Sequence, residues 1–414
     1  MNLKIRLIVM NFLQYAVWGA WLISLGAYLG GTLHFTGVQI GSFFATMGIA
    51  SLFMPGIMGV IADKWVPAEK LLGICHLLGA LFLFLAAPQT DYATLYTYIL
   101  LAVLFYMPTI ALSNSVAYYA LESNGYEPIK AFPPIRVFGT VGFIVSMIAV
   151  DLMIIDGVKF TQSAYQLYFA AFIALILGVY SFTLPHCPTN LNHDKTSWVD
   201  KLGLRAFALF KDKKMAIFFV FSMLLGVALQ ITNAFANDYL TNYFGKIPEY
   251  AGTFGVEHAN ILISLSQLSE TLCILLIPFF LKRHGIKIVM LISMIAWVLR
   301  FGLLGAGNPG DGVWMLILSM IVYGVAFDFF NISGSLFVER ETEPAIRSSA
   351  QGVFMIMTNG FGAFLGSYAA GKVVDMTGWP KAWFVFAGYA LVVAILFVFL
   401  FRYRYQPKQL ELEL

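Results

Sequence analysis

The sequence is poor in charge. Asp, Glu, Lys and Arg make up 11% of its 414 residues, whereas 60% are hydrophobic and the mean hydropathy is +0.80. Because soluble domains carry about 25% charged residues, this composition excludes an ordinary soluble protein and indicates an integral membrane protein. No stretch carries a nucleic-acid-binding signal, and the net charge of +3 indicates no class of partner.

Cysteine and histidine are scarce as well. The three cysteines, Cys75, Cys187 and Cys273, lie far apart without a C-x-x-C motif, so neither a disulfide framework nor a zinc site is indicated. The six histidines show no H-E-x-x-H or other ligand spacing, and no nucleophile-elbow or phosphate-loop motif is present. We therefore expect no metal, no cofactor and no enzymatic activity.

Long apolar runs are what the sequence has in quantity. A helix needs about 20 mainly apolar residues to cross a bilayer, and the runs between charged or Pro/Gly-rich breaks predict twelve such helices. The predicted spans are 5–30, 37–61, 71–88, 94–121, 133–155, 164–184, 214–243, 257–281, 286–305, 313–338, 347–375 and 382–402. The expected fold class is an all-α integral membrane protein.

The longest polar segment, residues 185–213, divides these spans into two sets of six. Six plus six helices with a basic linker is typical of the major facilitator superfamily fold. The predicted organisation is an N-terminal half (1–184), a cytoplasmic linker (185–213), a C-terminal half (214–402) and a cytoplasmic tail (403–414).

Lys and Arg are distributed unevenly between the two sets of loops. The rich set is Lys4, Arg6, Lys64, Lys70, Lys130, Lys195, Lys201, Arg205, Lys211, Lys213, Lys214, Lys282, Arg283, Lys287, Arg340, Arg347, Arg402, Arg404 and Lys408. The poor set is Lys159, Lys246, Lys372 and Lys381. Because cytoplasmic loops carry the basic excess, both termini are expected in the cytoplasm, which requires an even number of spans.

The tenth predicted span carries a carboxylate, Asp328, near its middle. Even on lenient insertion scales, an Asp at a helix centre costs roughly 2.5–3.5 kcal/mol, so such a residue is a functional-site hypothesis. The alternative is a structural ion pair. Arg300, in the ninth span, is the candidate counter-ion for Asp328 or for Glu270.

Other polar and aromatic side chains recur at one-turn spacing in four spans. They are Arg136, Thr140 and Phe143 in the fifth span, Gln230 and Asn233 in the seventh, Gln267 and Glu270 in the eighth, and Tyr323 and Phe327 in the tenth. Residues at such spacing share a helix face, and amides facing lipid would lack hydrogen-bond partners. These faces are therefore expected to meet protein or water, although Arg136 could instead extend to the cytoplasmic interface.

Together these residues suit a polar, planar, uncharged solute. Aromatic faces stack a ring, and amides match both the edge of a heterocycle and the hydroxyls of a sugar. A monosaccharide would use a similar set. Because a low-dielectric setting disfavours the charged carboxylate, either Glu270 or Asp328 is able to bind and release a proton, with pairing to Arg300 or Arg136 as the competing interpretation.

Several segments resemble the bacterial nucleoside:proton symporters of the major facilitator superfamily, from the first span to the twelfth. They are Phe132–Arg136, Ala206–Lys211, Met215–Phe219, Leu229–Asn233, Ser266–Thr271, Ser319–Glu339, Ser349–Gly352 and Thr358–Gly362. The run in the tenth span is specific to this family rather than generic to the fold.

The resemblance implies uptake of nucleosides such as uridine and adenosine by alternating access, coupled to inward proton movement. It implies a multi-pass protein of the bacterial inner membrane, in contact with lipid and energised by the proton gradient without a cofactor. We expect a monomer. A sugar or polyol symporter of the same fold is the alternative, and a receptor that binds without transporting is a third class.

The resemblance also assigns roles residue by residue. The family's substrate contacts fall on Arg136, Thr140, Phe143, Gln230, Asn233, Gln267, Glu270, Tyr323 and Phe327. Asp328 matches an acid associated with activity and coupling. Whether Asp328 carries the proton, or supports a working Glu270 through a pair with Arg300, stays open.

Overall fold

The computed structural model describes residues 2–189, 204–342 and 347–403. About half of the predicted linker (190–203) and most of the predicted tail (from residue 404) lie outside this range. The α-helices are α1 (Leu3–Gly19), α2 (Leu25–Ala27), α3 (Gly37–Lys64), α4 (Ala68–Ala86), α5 (Tyr92–Ser123), α6 (Pro128–Leu152), α7 (Tyr165–Ser181), α8 (Lys213–Asp238), α9 (Phe254–Glu257), α10 (Ala259–Ala306), α11 (Val313–Glu341), α12 (Arg347–Met355), α13 (Ala363–Thr377) and α14 (Lys381–Leu400).

Shorter elements complete the chain. Three wider, π-helical turns extend α2, α8 and α12 as Tyr28–Thr32, Tyr239–Tyr243 and Ile356–Gly362. Two 3₁₀ segments are Phe160–Gln162 and Leu204–Lys211, and the strands are β1 (Ile154–Ile155) and β2 (Val158–Lys159).

Nine helices of the described residues are long and apolar enough to cross a bilayer. One of them, α10, is 48 residues long and covers the eighth and ninth predicted spans. Its interior contains Gly285 with φ 76° and ψ 167°, a backbone conformation that breaks the helix between those two spans. The structure therefore places a break where the sequence predicted a turn, while the full count of twelve stays a prediction.

The first predicted span, 5–30, is not one continuous α-helix. α1 ends early, and a turn separates it from α2. Helix-like hydrogen bonds persist through the turn, since the Leu22 and Leu25 N–H groups donate to the carbonyls of Trp18 and Trp21 at 3.0 and 2.9 Å. The backbone between α1 and α2 therefore keeps helical hydrogen bonds despite the irregularity.

The fifth predicted span, 133–155, extends past the end of α6, which ends at Leu152. Ile154–Ile155 instead pairs with Val158–Lys159 as an antiparallel hairpin. The two turn residues, Asp156 and Gly157, have φ values of 52° and 79°. Asp-Gly is the preferred sequence for such a tight turn, and the apolar character of Ile154 and Ile155 concealed it.

Contacts divide the chain into two compact units. The first contains Met1–Phe35 and Ser42–Leu202, and the second contains Thr36–Gly41 and Gly203–Leu414. Each unit has its own buried apolar core. The bounds that the sequence predicted for the two halves, 1–184 and 214–402, stay predictions.

Small residues allow close helix packing in the first unit. A Cβ at Gly142 of α6 would lie 2.1 Å from the carbonyl oxygen of Phe12 in α1. Only a glycine fits such a backbone-to-backbone approach, as in small-xxx-small helix contacts of membrane proteins. This contact sets α6, and the polar face it carries, directly against α1.

A buried carboxylate anchors the segment that follows α7. Glu69, in the first turn of α4, is 3% exposed. It accepts a hydrogen bond from the Cys187 backbone N–H at 3.0 Å, and its other oxygen lies 2.8 Å from Nδ1 of His186. Removing Glu69 would therefore release the segment that carries Cys187.

We expect Cys187 to react slowly with maleimide at neutral pH. Burial first, and then the adjacent Glu69 carboxylate, raises the pKa of this thiol to about 12, so almost none of it is the reactive thiolate. Glu69→Ala should expose the thiol and lower its pKa, which speeds labelling of Cys187 measured by peptide mass spectrometry. Glu122→Ala, at an exposed acid, is the control. Equal labelling rates in all three proteins would show that Glu69 is not the anchor.

Candidate functional site

In the first unit, the polar face of α6 meets an aromatic ring of α1. The Arg136 guanidinium lies over the Tyr15 ring, with its Cζ 3.9 Å from the ring centroid. Thr140 is half-buried and Phe143 is 8% exposed. A cation over an aromatic face is attracted by the ring quadrupole, so Tyr15 fixes the position of Arg136 within the unit.

A buried hydrogen-bond network fixes α1 at Gln14, the residue before Tyr15. The Gln14 side-chain amide donates to Thr109 Oγ1 at 2.7 Å, and Nε2 of His76 lies 2.7 Å from Gln14 Oε1. The Tyr106 hydroxyl donates to the Gln14 carbonyl at 2.8 Å. Because buried polar groups that are fully paired specify one arrangement, the network sets where the Tyr15 ring stands.

In the second unit, aromatic rings converge on Tyr323 of α11. Tyr323 and Phe327 are stacked, with ring centroids 5.9 Å apart and planes at 12°. Trp297 of α10 meets the Tyr323 ring edge-on at 6.0 Å. Tyr323 is 5% exposed, while Phe327 is half-buried and offers a more open ring.

Arg300 is buried under the same ring, at 1% exposure. Its Cζ lies 4.6 Å from the Tyr323 centroid, and Nη1 donates to the Ser319 carbonyl at 2.6 Å. The guanidinium thus contacts neutral groups in this structure. Its role as a counter-ion for Asp328 or Glu270 stays a prediction.

The acids and one predicted amide lie beside this ring cluster. Asp328 is 3% exposed, and its Oδ2 atom is buried without a hydrogen-bond partner among the described residues. Glu270 is half-buried and close enough to interact electrostatically with both Asp328 and Tyr323. Gln267 hydrogen-bonds the Tyr323 side chain. A buried acceptor without a donor is costly unless a partner reaches it.

Close packing of α10 against α11 brings these groups together. A Cβ at Gly324 would lie 2.6 Å from the carbonyl carbon and oxygen of Ser269. The Ser269 hydroxyl also donates to the Ile321 carbonyl of α11. Gln267 and Glu270, one turn apart on α10, are consequently held against Tyr323.

The amides of α8 present a second polar stripe in the same unit. Gln230 is 7% exposed and Asn233 is half-buried. Oε1 of Gln230 is buried without a hydrogen-bond partner in the described part of the chain. An unpaired buried acceptor is costly unless a partner arrives, and a donor group of a substrate would supply one.

The structure thus forms two clusters from the residues predicted by sequence. Arg136, Thr140 and Phe143 share one face in the first unit. Gln267, Glu270, Tyr323, Phe327, Asp328 and Arg300 gather in the second. Sequence reasoning missed Tyr15 and Trp297, the rings that position Arg136 and Tyr323. In the sequence, the only signal for either ring is that Trp297 precedes Arg300 by one helical turn.

Known proteins resemble this chain along nearly its whole length. A sequence model described as "Nucleoside H+ symporter" matches residues 1–406. The nucleoside permease NupG of Escherichia coli K12 is 51% identical over 96% of this chain and 95% of its own length. The xanthosine permease of the same organism is 52% identical over the same shares. A crystal structure of the nucleoside transporter NupG has a TM-score of 0.90 at 51% identity, covering 98% of this chain and all of that one.

Proposed function

Since this chain belongs to the nucleoside H⁺ symporter family and imports nucleosides together with protons, we propose that the ring and carboxylate cluster around Tyr323 binds the nucleoside and carries the proton. The chain is a membrane transporter and not an enzyme, with the all-α fold of the NupG transporter. The proton gradient is its proposed energy source, without a cofactor.

One observation carries this assignment: a stacked ring pair stands next to a buried acid that lacks a donor. The half-buried Phe327 ring offers a face on which a nucleobase stacks, an interaction worth about 1–3 kcal/mol per base. Gln267 presents an amide at the Tyr323 hydroxyl, suited to the base edge or the ribose. Asp328 lies within reach of the same ring as the proton-binding group.

The remaining contacts are assigned by the same chemistry. Gln230 and Asn233 would meet the donors and acceptors of the substrate from α8, and Glu270 would meet a ribose hydroxyl. In the first unit, Arg136, Thr140 and Phe143 are the proposed contacts, with Tyr15 positioning Arg136. A planar guanidinium and an aromatic ring suit a heterocycle.

The topology we propose has twelve spans with both termini in the cytoplasm. The break at Gly285 divides α10 into two spans, and the two 17-residue helices, α1 and α7, cross the bilayer with their neighbouring turns. Basic residues mark the cytoplasmic loops. The chain is a multi-pass protein of the inner membrane, and a monomer is the proposed functional state.

Uptake assays test the substrate assignment. Cells that lack their own nucleoside permeases would receive this protein, and radiolabelled uridine and adenosine uptake would be followed with and without a protonophore. We expect accumulation that the protonophore abolishes, with excess lactose or xylose as non-competing controls. Uptake equal to that of empty vector for every nucleoside would refute the proposal, and competition by the sugars would favour a sugar symporter.

Gln267→Ala should weaken nucleoside binding. If the amide pairs a buried group of the substrate, its loss leaves that group unsatisfied, at a cost of about 1–3 kcal/mol. The measurement is isothermal titration of the purified protein with uridine. Gln89→Ala, an amide near the end of α4, is the matched control and should bind like the unchanged protein. Unaltered affinity in Gln267→Ala would remove this residue from the site.

A further inference from the structure

A cavity of about 310 Å³ lies in the second unit between α11 and α12. Small-ligand sites range from about 300 to 1,000 Å³, so this volume falls at their lower end. Its walls include Asn331, Ser335, Leu336, Gln351, Phe354 and Met355. None of these residues belongs to the substrate contacts assigned above.

The cavity continues the face of α11 that carries the ring pair. Phe327, Asn331 and Ser335 follow Tyr323 at intervals of four residues, and because each step turns about 40° around the helix, Asn331 lies about 40° and Ser335 about 80° from Phe327. At 1.5 Å per residue, Asn331 lies about 6 Å and Ser335 about 12 Å beyond Phe327 along the axis. The direction is toward the end of α11 that carries Arg340, the proposed cytoplasmic end.

Two amides supply unused hydrogen-bonding groups there. The Gln351 amide donates to the Ser335 carbonyl at 2.8 Å, and the Ser335 hydroxyl donates to Gln351 Oε1 at 3.1 Å. This double contact fixes the amide while leaving it one further N–H. Among the described residues, no group hydrogen-bonds the side chain of half-buried Asn331. Lipid would leave that amide unsatisfied, so its side of the cavity needs water or a polar ligand.

Part of the cavity lining is apolar. Phe354 is 1% exposed and packs against the rings of Phe218 and Phe330, with centroid separations of 5.4 and 6.3 Å. Met355 is 48% exposed and adds a polarisable surface. An apolar surface, supplied mainly by Met355 because Phe354 is buried, and an open amide in one cavity suit a heterocycle, which has an apolar face and a polar edge.

We propose that this cavity is a second nucleoside-binding site, through which the substrate passes after leaving the Tyr323 cluster. Its Asn331 amide and the spare N–H of Gln351 bind the edge of the nucleobase, and the base lies against the apolar surface. This inference rests on the proposed function, because it assigns a further step on the same transport path.

Cysteine protection tests the second site directly. The three native cysteines are buried, so the background of maleimide labelling is low. Asn331→Cys would be labelled with maleimide in proteoliposomes at increasing concentrations of uridine. The labelling would be carried out once with Asn331→Cys as the only change and once with Gln267→Ala added. Leu336→Cys is the second probe and keeps the Asn331 amide. Ser123→Cys, at the exposed end of α5, is the control that uridine should not protect.

We expect uridine to protect Leu336→Cys, and to protect Asn331→Cys only at higher concentrations, because that variant lacks the amide proposed to bind the base. At roughly ten times the half-protecting concentration, occupancy of a single site slows labelling about elevenfold. The half-protecting concentration for Leu336→Cys should not change when Gln267→Ala is added, because the two sites bind separately. Two results would overturn the second site while leaving uridine uptake intact. One is absence of protection at Leu336→Cys. The other is a half-protecting concentration for Leu336→Cys that rises, when Gln267→Ala is added, as much as the affinity of the Tyr323 cluster falls. If the unchanged protein takes up no nucleoside, the proposed function itself is refuted.

Discussion

Asp328→Asn is expected to abolish concentrative uptake while nucleoside exchange across the membrane continues. The carboxyl group is 3% exposed and its Oδ2 atom has no donor among the described residues, so a bound proton would supply the partner that this buried oxygen lacks. Asparagine has nearly the same shape as the neutral acid and cannot lose a proton. The variant would therefore cycle with substrate but without proton movement.

The measurement compares two assays on the same proteoliposomes. Under an inward pH gradient, the variant should bring internal uridine no higher than the external concentration, whereas counterflow of labelled against unlabelled uridine should persist. Asp311→Asn, at an exposed acid before α11, is the matched control and should accumulate uridine normally. Accumulation against the gradient by Asp328→Asn would make Asp328 structural, and Glu270→Gln would then be the variant to test.

Gly324→Ala is expected to disrupt the substrate site although it adds a single methyl group. The new Cβ would lie 2.6 Å from the Ser269 backbone carbonyl, so α10 and α11 must separate. Overpacking of this kind typically costs about 1–3 kcal/mol in stability. Separation also moves Gln267 and Glu270 away from Tyr323, and a loss of about 1.4 kcal/mol in binding would weaken uridine affinity tenfold.

Gly302→Ala, in the same helix pair, is the matched control. Apart from the neighbouring backbone of its own helix, no atom of the described residues lies within 4 Å of the position its Cβ would take, so this substitution meets open space. It should change the midpoint of thermal unfolding in detergent little and leave uridine affinity unchanged. If both variants behave alike in thermal unfolding and in titration with uridine, the contact between Gly324 and Ser269 does not hold the site together.

The sequence alone determined most of the architecture. A bilayer requires long apolar helices, so composition and run length predicted the all-α membrane fold before any contact was known. The intramembrane polar residues were found in the same way, because Asp328 and Gln267 are conspicuous among apolar neighbours. Helical spacing then predicted which of them share a face.

Tertiary structure decided how those faces are held. Tyr15 and Trp297 are ordinary aromatic residues in apolar helices, and only the contacts between helices show that they position Arg136 and Tyr323. The neutral partners of Arg300 depend likewise on the register of α10 against α11. Periodicity fixes a side chain's direction around its own helix, whereas its partner depends on the rotation and depth of the neighbouring helix, which small residues such as Gly324 set through packing.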